Sequence, residues 1–223
     1  MIDRVCVVGG TGDEGFGLAL RWAKAGVEVV IGSRDETRAT EAAKRLAERV
    51  PAANVTGLEN TEAVASCDVV VVTVPFGGQA AIYKSISDHV HDGAVVVDCT
   101  VPVAAAVGGR ATNVLGVWQG SAAQQAASLL PKETIVMAGF HTLSAAALNE
   151  LEAPLEGDVL ICGPRAGKDT CRSLVEAIEG LRFVDAGTLD QARIVEPITA
   201  LLIGINRRYK IHSAGVRITG LPD

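Results

Sequence analysis

The chain has 223 residues, room for one large domain or for one domain with a small appendage. Its hydrophobic share is 48% with aromatics at 4%, so the apolar content is Val, Ala, Leu and Ile, which suits buried parallel strands and closely packed helices. A formal net charge of −6 argues against wholesale nucleic-acid binding, and it requires any anionic ligand to find its own local cluster of basic residues.

In chain order, short Val-rich runs alternate with helical patterns. "RVCVVGG" reads as a strand and "GLALRWAKAG" as the helix after it. "VEVVIGSR" is a second strand and "ETRATEAAKRLAERV" a second helix. A weaker strand, "ANVTGLEN", and a short helix, "TEAVASC", lead into the buried strand "DVVVVTVP". The helix "GGQAAIYKSISDHV" and the strand "GAVVVDCTVPV" follow. Residues 104–120 are less regular and rich in small residues. Then come helix "SAAQQAASLLP", strand "TIVMAGFHT", short helix "LSAAALNEL", strand "GDVLICGP", helix "GKDTCRSLVEAIEGL" and strand "RFVDAGT". "LDQARIVEPITALLIGINRRYKI" closes the chain as a long apolar helix with a basic end.

Strands that are apolar throughout, alternating with helices, predict an α/β, doubly wound Rossmann-type fold with a mainly parallel sheet. A soft boundary near Ala153-Pro154 divides it into a dinucleotide-binding domain, residues 1–153, and a small C-terminal α/β extension, residues 154–223. Five cysteines without a CxxC read as small buried hydrophobes in a reducing, cytoplasmic setting. No signal-peptide pattern precedes the first strand, and no apolar run is long enough for a membrane span. His89 and His91 read as solvated turn residues, so no metal site is expected.

The glycine stretch carries the first functional signal. Gly10-Thr11-Gly12-Asp13-Glu14-Gly15 fits GxGxxG between a strand and a helix. Gly10 is expected to allow the tight turn, Gly12 to let backbone approach a pyrophosphate, and Gly15 to let the helix pack on the strand. Free N–H groups at the helix start would hold the anion. Asp13 and Glu14 sit awkwardly there, and both are expected to point away from the phosphate. At the end of the second strand, where an NAD site carries an acid, stand Ser33 and Arg34, with Arg38 one turn on. With Thr11 they suit a 2′-phosphate, which favours NADP; Asp35 and Glu36 are read as caps of the next helix.

Ligands of such sheets bind beyond the carboxyl ends of the strands. Those ends are Val74-Pro75-Phe76, Thr100-Val101-Pro102 and His141-Thr142-Leu143. They build a mostly apolar surface with a few hydroxyls and one imidazole, fit for a flat ring packed on nicotinamide. His141 has two readings: a group that polarises the substrate, or a strand-end residue satisfied by backbone. The basic run Asn206 to Lys210 reads either as complement to a helix C-terminus or as an anion or subunit contact.

"GGTGDEGFGLALRWAKAG", "VVIGSRD", "VVTVPF", "AGFHTLSAAAL", "LDQARIVEPITALLI" and "INRRYK" occur in the same order as in the NADP-dependent oxidoreductases of coenzyme F420, a deazaflavin. The chain resembles that family over essentially its whole length. The resemblance implies direct hydride transfer between NADP(H) and the deazaflavin, with no covalent intermediate. It assigns Thr11, Ser33, Arg34 and Arg38 to the 2′-phosphate and Gly10, Gly12 and Gly15 to the pyrophosphate. Val74 and Pro75 fall beside the nicotinamide, and His141 and Leu143 in the joint nicotinamide–deazaflavin pocket, His141 orienting or polarising. From their strand-end positions Thr100 is read as a further cofactor contact and Thr142 as a further substrate contact. Arg207 and residues 110–121 are candidates for the coenzyme's anionic tail. The resemblance also implies a homodimer, with the last helix at the interface. Two alternatives remain: an NADPH-dependent reductase of another planar acceptor, a flavin or metal chelate, and a non-catalytic NADP sensor.

Overall fold

The computed structural model describes residues 2–221. Strand β1 (Arg4–Val8) leads to α1 (Asp13–Lys24), β2 (Glu28–Ser33), α2 (Glu36–Arg49), β3 (Val55–Glu59) and α3 (Asn60–Ala65). The second half of the sheet adds β4 (Val69–Val72), α4 (Phe76–Ile86), β5 (Val95–Asp98), α5 (Ala122–Leu129) and β6 (Ile135–Ala138). These six strands are all parallel in the order β3-β2-β1-β4-β5-β6. Val7 pairs with Ile31 on one side and with Val71 on the other.

Strand periodicity explains why the runs are apolar without alternation. Val5, Val7, Val29, Ile31, Val71, Val95 and Val97 enter one core with α1 and α2. Their neighbours Cys6, Val8, Val30, Val70, Val72 and Val96 enter the opposite core, with Val64, Ile82, Tyr83 and Ala126 from α3, α4 and α5. Both faces are therefore covered, as the sequence pattern required.

After α6 (Ala145–Asn149), β7 (Gly157–Ile161), α7 (Lys168–Glu176) and β8 (Leu181–Asp185) form a parallel pair of their own. One antiparallel bridge, Ala138 to Cys162, hangs this pair on β6. Its inner residues Val159, Ile161, Leu174, Val175 and Phe183 belong to the same core as α1, and Trp22 Nε1 donates to the Leu174 carbonyl at 2.8 Å. All five cysteines are free and buried.

The C-terminal helix is α9 (Ile198–Tyr209). The stretch before it differs from one continuous helix. It forms a short turn and α8 (Ala192–Val195), then breaks at Glu196-Pro197. Proline brings no N–H to the ladder and its ring crowds the preceding turn. Among the described residues no helix is long and apolar enough to cross a membrane.

Candidate functional site

The strand order reverses between β1 and β4, and a cleft of about 630 Å³ opens beyond their carboxyl ends. This switch point is where an open α/β sheet receives ligands, and the volume suits one. Gly9, Thr11 and Gly12 line it from the first turn; Ser33, Arg34, Asp35 and Arg38 line it from the end of β2 and the start of α2. Thr73, Val74, Pro75, Gly78 and Ile82 form the opposite wall, and Asn60 stands at its base.

The glycine turn works, with one reassignment. The left-handed residue is Gly9, φ 82°, and not Gly10. Gly10 is needed for space: a Cβ there would lie 2.9 Å from the Val7 carbonyl and 3.0 Å from Ile31 Cγ2. A Cβ on Gly15 would collide with Thr73 Oγ1 and with the Gly9 carbonyl, so Gly15 lets α1 lie close on the sheet. Gly12 is the N-cap of α1 and makes no side-chain cap, which leaves the first N–H groups open toward the cleft.

The acidic pair splits. Asp13 is exposed. Glu14, expected to point away from the phosphate, is half-buried and lies within electrostatic reach of Asp98 and Cys99 at the end of β5. Burial, with the Asp98 charge adding to it, pushes its carboxyl up to about 8. At neutral pH it is therefore mostly uncharged, and neither acid lines the cleft.

At the end of β2, Asp35 caps α2, accepting from Thr37 N at 2.9 Å and Arg38 N at 3.4 Å. Ser33 Oγ accepts from Asp35 N at 3.3 Å, which leaves its hydroxyl proton to donate. Arg34 and Arg38 are exposed at the mouth and form no ion pair among the described residues. Two uncommitted guanidiniums, a free hydroxyl proton and Thr11 in one wall fit a phosphate monoester.

The remaining site residues fall elsewhere. Thr100 is buried, donates to Asp98 and receives Gln79 Nε2 at 2.6 Å. It belongs to an internal network with Tyr83, whose hydroxyl donates to Asp98 at 2.6 Å, and does not line the cleft. Desolvation in that network raises the Asp98 carboxyl above its usual range, against the hydrogen bonds that favour its ionised form.

His141 is 5% exposed, and neither ring nitrogen has a hydrogen-bond partner. Burial drives its imidazole down to about 4, so it is neutral at pH 7. Phe140 ahead of it takes φ 64°, a left-handed conformation rare for a bulky residue, with its ring edge-on to Trp22. Thr199 Oγ1 holds the His141 carbonyl at 2.7 Å. Thr142 and Leu143 line a second cavity of about 640 Å³ against Pro154, Leu155 and His212. Arg207 lies in a shallower depression on α9 that shares only His212 with this cavity.

Sequence reasoning missed three elements. Asn60 carries no motif. Arg21 is 6% exposed and spends its guanidinium on four carbonyls, Ala147, Leu148, Glu150 and Ala153, at 2.6–3.0 Å. Glu196 is 1% exposed and accepts from Ala122 N and Ala123 N at 2.9 and 3.0 Å, capping α5 from the break between α8 and α9. Only the oddity of an acid in an apolar helical run marked it.

Residues 4–102 match the family model described as NADP oxidoreductase, coenzyme F420-dependent. An F420-dependent NADP reductase of Methanothermobacter thermautotrophicus is 44% identical over 100% of this chain and 97% of its own. One from Methanocaldococcus jannaschii is 39% identical, covering 98% of this chain and 99% of its own. A crystal structure of a candidate F420-dependent NADP reductase from an Arthrobacter species superposes with a TM-score of 0.80 at 19% identity, covering 98% of this chain and 100% of that one. At that identity the superposition establishes the fold.

Proposed function

The chain belongs to the family of coenzyme F420-dependent NADP oxidoreductases, and from that premise we infer that it transfers a hydride between NADP(H) and the deazaflavin coenzyme F420. The observation that carries the cofactor half is the Ser33, Arg34 and Arg38 corner of the switch-point cleft, where both guanidiniums stand outside any ion pair among the described residues. NADPH supplies the hydride and the deazaflavin accepts it, or the reverse. The protein's own task is to hold two flat rings at reacting distance and to keep water out.

In this reading Thr11, Ser33, Arg34 and Arg38 hold the 2′-phosphate, and backbone from Gly9 to Gly12 with the start of α1 holds the pyrophosphate. Val74 and Pro75 support the nicotinamide end. Thr100, fixed by Asp98 and Gln79, sets the end of β5 beside it. His141, Thr142 and Leu143 face the deazaflavin; a neutral, buried imidazole with two unpaired nitrogens is suited to a hydrogen bond with a ring edge. Arg207 serves the anionic tail. Two copies meet through the face of α8 and α9, and the protein works in the cytoplasm, where its five thiols stay reduced. Residues 154–223 act as an extension that closes the deazaflavin side.

The test is direct. The purified protein is mixed with NADPH and oxidised F420, and the deazaflavin's visible absorbance is followed. Fast bleaching with NADPH, slow bleaching with NADH and none with a flavin in place of F420 is the expected result. Binding of NADPH without bleaching would overturn the reaction assigned here.

A further inference from the structure

Asn60 is 2% exposed and opens α3 directly after β3. A residue of this type at a helix start usually caps it. Here the cap is taken: Glu59 accepts from Thr61 N at 2.8 Å and Thr61 Oγ1 at 2.6 Å. Burial works to raise the Glu59 carboxyl, but bonds from the Thr61 hydroxyl, Thr61 N–H and Asn60 N–H outweigh it and leave it below its ordinary range. Glu59 is thus a committed carboxylate, and the Asn60 side chain is released from local duty.

That side chain is nevertheless not satisfied by the protein. Asn60 Oδ1 is buried without a hydrogen-bond partner. A buried amide oxygen left unpaired costs about 1–3 kcal/mol, so such a group calls for an explanation beyond the chain's own bonds. The residue also lines the dinucleotide cleft. A Cβ on Gly32 would lie 3.0 Å from Asn60 Oδ1, so the bare Gly32 backbone is what lets this amide sit over β2. The Gly32 carbonyl in turn receives Gly9 N at 3.1 Å. Asn60 therefore stands between the glycine turn and the Ser33–Arg34 corner.

We propose that the Asn60 carboxamide is a specificity-determining contact to the adenosine ribose of NADP, on the edge that bears the 3′-hydroxyl and the 2′-phosphate. A nucleotide with its pyrophosphate on α1 and its 2′-phosphate at Ser33 and Arg34 has that ribose between the two, where Asn60 stands. The amide offers a donor and an acceptor, matching a phosphoryl oxygen and a hydroxyl. The proposal rests on the cofactor reading above.

Calorimetric titration with adenosine 2′,5′-bisphosphate, NADP⁺ and NAD⁺ tests it. Asn60→Ala is expected to bind the bisphosphate about tenfold more weakly at a melting temperature no lower than that of wild type, since the unpaired amide oxygen is removed. Asn60→Asp puts a charge against the phosphate and is expected to lower the NADP⁺ to NAD⁺ affinity ratio by about tenfold or more; a purely structural role would weaken both alike. Wild-type affinity in both variants, or an unchanged ratio in the Asp variant, overturns the proposal. Should the Ala variant fail to fold, the same titration of wild type with the 3′-deoxy and 2′-dephospho forms of the bisphosphate, against Asn60→Ser, keeps the test: additive losses overturn the contact. Failure of wild type to bind the bisphosphate at all would instead overturn the cofactor reading.

Discussion

Glu14 stands in the first turn of α1, the helix proposed to receive a phosphate, where a negative charge and a negative ligand would compete. The structure removes the conflict through protonation. Burial holds its carboxyl at about 8 in the folded chain, against an ordinary value of 4.5. Between those two values the native protein keeps a proton that the unfolded chain has released. Stability from this group is therefore full below pH 4.5, falls as pH rises through the window, and levels off above about 8. Glu196, raised to about 7 mainly by burial, acts with the same sign. His141, lowered to about 4, acts with the opposite sign, losing stability as pH falls below its ordinary value of 6.5. A wild-type profile sums these three with other shifted groups, Asp98, Glu59, Asp158, Asp185 and His91 among them, so only the difference between variants isolates Glu14. Denaturant melts at pH 5 and pH 9 are expected to show wild type losing more stability on going alkaline than Glu14→Gln does. Parallel losses would count against a buried, protonated Glu14.

At the scale of elements, what was legible in the sequence is what depends on near neighbours along the chain. The runs that became β1, β2, β4 and β5 are apolar throughout because both faces of each strand meet a core, and that needs no long-range knowledge to read. The Ser33, Arg34 and Arg38 corner was legible for the same reason, since one strand end and one helical turn bring it together. The strand "TIVMAGFHT" reads as nine residues but ends at Ala138, because Phe140 at φ 64° turns the chain toward Trp22. Nothing local in a phenylalanine announces a left-handed backbone. Arg21 was illegible because its partners lie up to 132 residues away. It fastens α1, whose start opens on the cleft, to α6, which follows Thr142 and Leu143. Arg21→Ala would leave four carbonyls short of a donor and is expected to cost on the order of 2–4 kcal/mol in a denaturant melt. Arg21→Lys should recover less than half, because one ammonium cannot reproduce the planar fork. Full recovery by lysine would mean that charge, and not the fork, holds the two helices.

For the molecule as a whole, the apolar residues left outside are the informative ones. The boundary drawn at Ala153-Pro154 is crossed by one continuous core, so the C-terminal segment is folded onto the sheet and its outer face is what remains. That face is not polar. Ile194 on α8 and Leu201 on α9 are 61% and 63% exposed, and Tyr209 ends the same helix exposed. Only Ala200 and Leu202 of α9 are buried. The loop over residues 104–120 adds Val107 and a fully open Trp118, and a Cβ on Gly204 of α9 would lie 3.9 Å from Thr112 Cγ2 of that loop. A helix that buries so little of its apolar surface within its own chain is placed to bury the rest against another copy, and a stable pair needs about 800 Å² from each partner. α9 also carries the tether from Thr199 Oγ1 to the His141 carbonyl, so pairing would stiffen the segment that holds His141. Leu201→Asp puts an unpaired charge into the middle of such a contact and is expected to convert a dimer to a monomer in light scattering at micromolar concentration. Its far-ultraviolet dichroism should stay unchanged, since Leu201 is 63% exposed and outside the buried core. The KM for F420 is expected to rise several-fold in that monomer while the KM for NADPH holds, because the nucleotide cleft is built within one chain. A wild-type protein that is already monomeric at that concentration would remove α9 from the interface and leave its apolar face without this explanation.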